Sequence, residues 1–125
     1  MSNIEERINK LSENLKNSQT FIDKLPVPAC MVDENMNYVV INEAWCTTFP
    51  LHKKPLVGDN HYDCFDMVKE EYPHFVDEHK QCLEGCKPFK NKNAKFGNFT
   101  LDYILTPVFL ANNRRGMIMI VDLIH

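Results

Sequence analysis

Apolar positions recur along the chain with two different periods. From Ile4 to Leu25, the residues Ile4, Ile8, Leu11, Leu15, Ser18, Ile22 and Leu25 follow alternating steps of four and three. This is the a/d seam of a heptad helix, with Glu, Lys and Asn at most positions between. Ser2-x-x-Glu5 has the form of a capping box. The spacing predicts one helix over 3–25, and its narrow stripe suits packing on another helix. Pro26 and Pro28 end it, because proline cannot extend the helical hydrogen-bond ladder.

Beyond that point the period shortens. Ala29-Cys30-Met31-Val32 and Tyr38-Val39-Val40-Ile41 flank the polar stretch 33–37 and predict a hairpin. Asn42 is placed as a helix N-cap, with Glu43 in the first turn, where the helix dipole favours negative charge. That short helix carries Ala44, Trp45 and Phe49 and stops at Pro50. Residues 50–70 have no period and leave room only for short helical turns. Pro73 suits the first turn of the next helix. Tyr72, Phe75, Val76, His79, Cys82 and Leu83 share one face of it, and Gly85 is its expected C-cap.

Three strands follow. Phe89 to Phe96 is rich in lysine, as in a protected edge strand. Thr100 to Leu110 alternates, with Leu101, Tyr103 and Leu105 opposite Asp102. Residues 111–116 form a hairpin loop, and Met117 to Val121 is apolar throughout, which predicts a central strand covered on both faces. The fold class is α+β: a five-stranded antiparallel sheet with short helices on one face, plus the N-terminal heptad helix.

The chain has 125 residues, enough for one core without metal or disulfide support. A net charge of -3, with no basic cluster, gives no reason to expect nucleic acid. Lys53-Lys54 and Arg114-Arg115 read as solvated loop charges. The charged N-terminus lacks the apolar core of a secretory signal, and the longest apolar run is far too short to span a bilayer. Five cysteines without an export signal are expected to be reduced, in a cytoplasmic protein. Cys82-x-x-x-Cys86 has no second pair to complete a zinc site.

Several segments together resemble a PAS domain. Leu25-Pro26-Val27-Pro28-Ala29, followed by Asp33, resembles the family's entry to its first strand. Val39-Val40-Ile41-Asn42-Glu43-Ala44-Trp45 resembles its strand-to-helix junction. Leu56-Val57-Gly58 with His61-Tyr62-Asp63-Cys64-Phe65, then His79 to Gly85, and finally Thr106-Pro107-Val108, Gly116 and Asp122-Leu123-Ile124 follow in the family's order. The resemblance covers residues 20–124. It divides the chain into a coiled-coil helix, 1–25, and a PAS domain, 26–125. Met36 and Asn37 replace the glycine common in the first turn, and His125 replaces a terminal threonine.

The resemblance implies an input module of a histidine kinase, diguanylate cyclase or transcription regulator, with an effector domain in a longer chain. It also implies a homodimer, which the seam at 4–25 fits, and a ligand site between the sheet and the long helix. Residues expected to line that site are Met31, Val40, Trp45, Phe65, Phe75, His79, Leu83, Leu101, Tyr103, Leu105 and Met119. The competing reading is that these side chains simply fill the core of a structural homodimerisation domain.

The cofactor is left unknown. Some relatives bind haem through a histidine on the long helix, and His79 and His74 are the two candidates for that role. The cysteine motif of flavin photoreceptors is missing around Cys64-Phe65. Cys82 and Cys86 are candidate redox thiols, although buried cysteine usually serves as a small apolar side chain. No nucleophile elbow, phosphate loop or H-E-x-x-H is present, so no enzyme activity is expected. Asp63, Asp66, Glu70 and Glu71 read as a solvated surface.

Overall fold

The computed structural model describes residues 19–49, 51 and 53–124. Most of the expected seam, residues 4–18, lies outside the described residues, as do Pro50 and His125. Helix α1 is described over residues 19–24. It is followed by β1 (Ala29–Asp33), β2 (Tyr38–Ile41), α2 (Glu43–Thr48), α3 (His61–Cys64), α4 (Met67–Glu71) and α5 (Pro73–Gly85). Then come β3 (Phe89–Phe96), β4 (Phe99–Phe109), a 3-10 turn (Ala111–Asn113) and β5 (Arg115–Leu123). The strands form one sheet in the order β2-β1-β5-β4-β3, with every pair antiparallel. The expected α+β architecture is therefore present. The lysine-rich strand is at an edge and the apolar strand β5 is at the centre.

Two apolar clusters sandwich this sheet. The inner one joins Cys30, Val32, Tyr38, Leu101, Tyr103, Leu105, Met117, Met119 and Val121 to the residues of α2–α5. The outer one holds Ile22, Ala29, Met31 and Val40, with Leu25, Ile118 and Ile120 packed against it. Strand β5 thus faces the inner core with Met117, Met119 and Val121 and the α1 side with Ile118 and Ile120.

Local chemistry sets the joints. The Asp33 carboxylate accepts from the amides of Asn35 and Asn37 at 2.9 and 3.0 Å, closing the first hairpin. Met36 takes the left-handed conformation there, with φ of 66°, where a glycine would be unstrained. Asn42 caps α2, its Oδ1 accepting from the Trp45 amide at 2.9 Å. The same oxygen accepts from Ala29 at 3.1 Å, and Nδ2 donates to the carbonyls of Ile22 and Val27.

Residues 53–70 hold more order than their sequence suggests. The loop before α3 bonds along the free edge of the first hairpin. Tyr38 donates to the Asp59 carbonyl, Gly58 to Tyr38 and His61 to Met36, each at 2.8 Å. Asn60 then caps α3 by accepting from Tyr62. This zipper places His61 beneath the sheet.

Two expectations need correction. Gly85 is the last residue of α5, and the left-handed cap is Cys86, with φ of 52°. Arg114 and Arg115 are not merely solvated. Arg114 pairs with Asp33 and Glu34 at 3.5 and 3.2 Å, and Arg115 donates to the Leu83 and Glu84 carbonyls at the C-terminus of α5.

Candidate functional site

A cavity of about 70 Å³ lies between the inner face of the sheet and helices α2–α5. Its walls include Trp45, Phe65, Phe75, His79, Leu101, Tyr103, Leu105 and Met119, eight of the residues expected there. Phe49, His61, Val68, Phe96 and Val121 complete the lining.

Three expected residues are elsewhere. Leu83 is buried in the inner core but does not reach the cavity. Met31 and Val40 face the opposite side of the sheet, in the outer cluster with Ile22. The reason for Val40 is a β-bulge. Met31 pairs with Val40 and Val32 with Tyr38, so Val39 is the extra residue, and Tyr38 and Val40 point to opposite faces. For Met31 the sequence carried no sign, since β1 is buried on both sides.

The cavity is an aromatic cage. Trp45 meets Phe49 and Phe65 edge-on at 5.9 and 5.7 Å between ring centres, and Phe75 meets Tyr103 at 5.5 Å. Such edge-to-face contacts favour flat apolar surfaces. The lining has no lysine, arginine, aspartate or glutamate. The Tyr103 hydroxyl is turned to the rim, donating to Glu78 of α5 and accepting from Asn91 of β3 at 2.8 Å.

Two histidines, His61 and His79, stand in the wall 5.5 Å apart between ring centres. Trp45 Nε1 donates to the Tyr38 hydroxyl at 3.2 Å, and that hydroxyl lies 2.7 Å from His61 Nδ1. Tyr38 is buried, and among the described residues Nδ1 is the one acceptor within reach of its hydroxyl proton, so the hydroxyl donates to Nδ1. His61 is thereby held as the tautomer with its proton on Nε2. The Tyr62 hydroxyl lies 2.9 Å from His79 Nδ1. Burial lowers the proton affinity of both rings, His79 to about 4 and His61 well below its ordinary value, with the neighbouring His79 adding to the effect at His61. Both are neutral at pH 7.

Haem does not fit these residues. His74 is exposed on α5 and lies outside the cavity wall. The available space is also far below the roughly 300 Å³ at which ordinary ligand pockets begin. Among the described residues no group of three or more His, Cys, Asp or Glu is arranged to hold a metal ion. Burial pushes the Cys82 thiol up to about 11, so it is not the reactive member of the Cys82/Cys86 pair. Among the described residues no helix is long and apolar enough to cross a membrane.

No protein-family model matches the sequence, and no curated protein matches it. Solved structures do match. The PAS domain of the histidine kinase ThkA superposes with a TM-score of 0.61 at 17% identity, covering 77% of this chain and 97% of that one. A sensory box sensor histidine kinase from Vibrio cholerae gives 0.62 at 12%, over 94% of both chains. The PAS domain of Bordetella pertussis BvgS gives 0.64 at 16%, covering 90% of this chain and 88% of that one. Identities this low speak to architecture alone, and by that architecture the chain has the fold of a PAS domain.

Proposed function

We propose that the chain is a sensory module of the signalling kind. It takes a small molecule into the cavity and relays occupancy through the sheet to α1. It performs no catalysis itself and acts on an effector domain within a longer cytoplasmic protein. Two copies pair through the helix at residues 4–25.

The observation that carries this reading is the two-sidedness of β5. Met119 and Val121 line the cavity, while Ile118 and Ile120, the residues between and before them, pack in the cluster that holds Ile22 of α1. A shift of β5 at the cavity is therefore felt at α1 through one layer of backbone. Asn42 supplies a second link, since it bonds both the Trp45 amide at the cavity and the Ile22 carbonyl of α1.

Native mass spectrometry of protein purified without denaturation tests the binding step. A retained mass released on unfolding supports it. Protein with no retained mass, and with a melting temperature that no member of a small-molecule library raises, refutes it. Polar replacement of Leu11 and Leu15 tests the pairing: light scattering should then report monomers, and a persistent dimer counts against the helix as the interface.

The small cavity favours one competing reading, a filled-core dimerisation domain. That reading expects the second mass-spectrometry result together with an intact dimer.

A further inference from the structure

We infer that the cavity selects an uncharged molecule of a single ring that presents a hydrogen-bond acceptor to the Nε2–H of His61. This rests on the ligand-binding reading above and names the class of ligand.

His61 is 5% exposed and borders the cavity. Its Nδ1 is taken by the Tyr38 hydroxyl, at the end of the chain of bonds that starts at Trp45. Among the described residues nothing bonds to its Nε2, and none of their buried side-chain polar atoms lacks a partner. Nε2 therefore reaches the open space that the ring borders. It carries a proton there because Trp45 and Tyr38 fix the tautomer. A buried donor with open space before it is matched by an acceptor on whatever enters, and an entrant without one leaves it unpaired.

Charge and size narrow the class. An anion finds no lysine or arginine in the wall, and a cation finds no carboxylate, because Glu78, bonded by the Tyr103 hydroxyl and by Asn91 Nδ2, is not among the wall residues. Either ion would be stripped of water without a partner. An engineered apolar cavity of about 150 Å³ takes benzene. The space here is about 70 Å³, so a ring enters only as the wall gives way, and Met119 is the flexible, unbranched side chain in that wall. The surrounding rings favour a flat occupant over an aliphatic one.

The chain has one tryptophan, Trp45, and it lines the cavity, so its fluorescence reports occupancy. Benzene, pyridine and benzoate are titrated at pH 8 into the wild type and His61→Phe. Pyridine is expected to bind and benzoate not to. The ratio of pyridine to benzene affinity is expected to fall about tenfold in the variant, the size of one lost hydrogen bond. In parallel, the imidazole nitrogen resonances of the wild type are followed by NMR. The protonated Nε2 of His61 should shift with pyridine and not with benzene.

An unchanged affinity ratio in a folded variant overturns the inference and leaves the cavity reading intact. So does benzoate binding as tightly as pyridine. Should the variant not fold, a His61 Nε2 resonance indifferent to pyridine overturns it equally. If none of the three probes alters Trp45 fluorescence at millimolar concentration, the ligand-binding reading itself fails.

Discussion

The side-chain amide of Asn42 donates to the carbonyl of Ile22 at 3.1 Å, twenty residues earlier in the chain. Through its Oδ1 the same side chain holds the first turn of α2, where Trp45 begins the cavity wall. Asn42 thus works as a cap, as a tie between β1 and α2, and as the anchor of α1.

These roles separate by substitution. Asn42→Ala leaves the Ala29 and Trp45 amides without partners and is expected to destabilise the domain by about 2–4 kcal/mol. Asn42→Asp keeps the acceptor but loses the donor to Ile22 and Val27. Hydrogen exchange should then quicken at residues 19–24 while α2 stays protected. Unaltered exchange at 19–24 would show that Asn42 does not anchor α1.

Acid should unfold the protein early. His79 is neutral in the fold, with its proton affinity lowered to about 4 from an ordinary 6.5. Above pH 6.5 both folded and unfolded forms are neutral, and stability is full. Below it the unfolded chain takes up protons that the folded one refuses, so stability falls as pH drops from about 6.5 to 4. The loss from His79 amounts to about 3 kcal/mol, and His61 adds to it in the same direction. Urea midpoints measured at pH 7.5 and 4.5 check this, and His79→Phe should flatten the dependence.

Gly116 sits where β5 passes β1 closely. A Cβ there would lie 2.7 Å from the Val32 carbonyl oxygen and 3.0 Å from Leu110 Cγ. The oxygen belongs to the backbone of a sheet partner and has little freedom to retreat. Gly116→Ala is expected to cost about 1–3 kcal/mol. A melting temperature equal to wild type would contradict the tight approach.

Met119→Ala should lower stability by about 2–5 kcal/mol, because it removes a buried side chain from the centre of the inner core. It also enlarges the cavity, so benzene should bind the variant more tightly than the wild type. A Trp45 fluorescence titration compares the two directly.

Thiol reactivity should order the cysteines by exposure. Cys86 is exposed, Cys46 is half-buried, and Cys30, Cys64 and Cys82 are buried. Burial raises the proton affinity of the last three thiols, which keeps them from the reactive thiolate form. Ellman's reagent should label Cys86 first in the native protein, and Cys86→Ser should abolish that fast phase.

Local rules carried the sequence reading a long way. The edge position of β3 was legible in its lysines, and the α2 start in Asn42 followed by Glu43. The buried face of α5 was legible in the spacing of Phe75, His79, Cys82 and Leu83. His61 was missed as a wall residue. It sits in a stretch without period, and its only local sign is Asn60, a capping residue just before it. What carries it inward is a set of backbone bonds to Met36 and Tyr38, more than twenty residues away in sequence.

The amino-acid order by itself determined the five strands, α2 and α5, since helix caps, proline stops and period-two alternation act over a few residues. Tertiary structure alone decided which side of the sheet each apolar residue meets. Met31 and Val40 show why: an apolar residue on a strand covered on both faces has no polar neighbour to mark its direction. A single extra residue at Val39 then reverses the alternation. Only the pairing of distant strands chooses the register, and with it the residues that enclose the cavity.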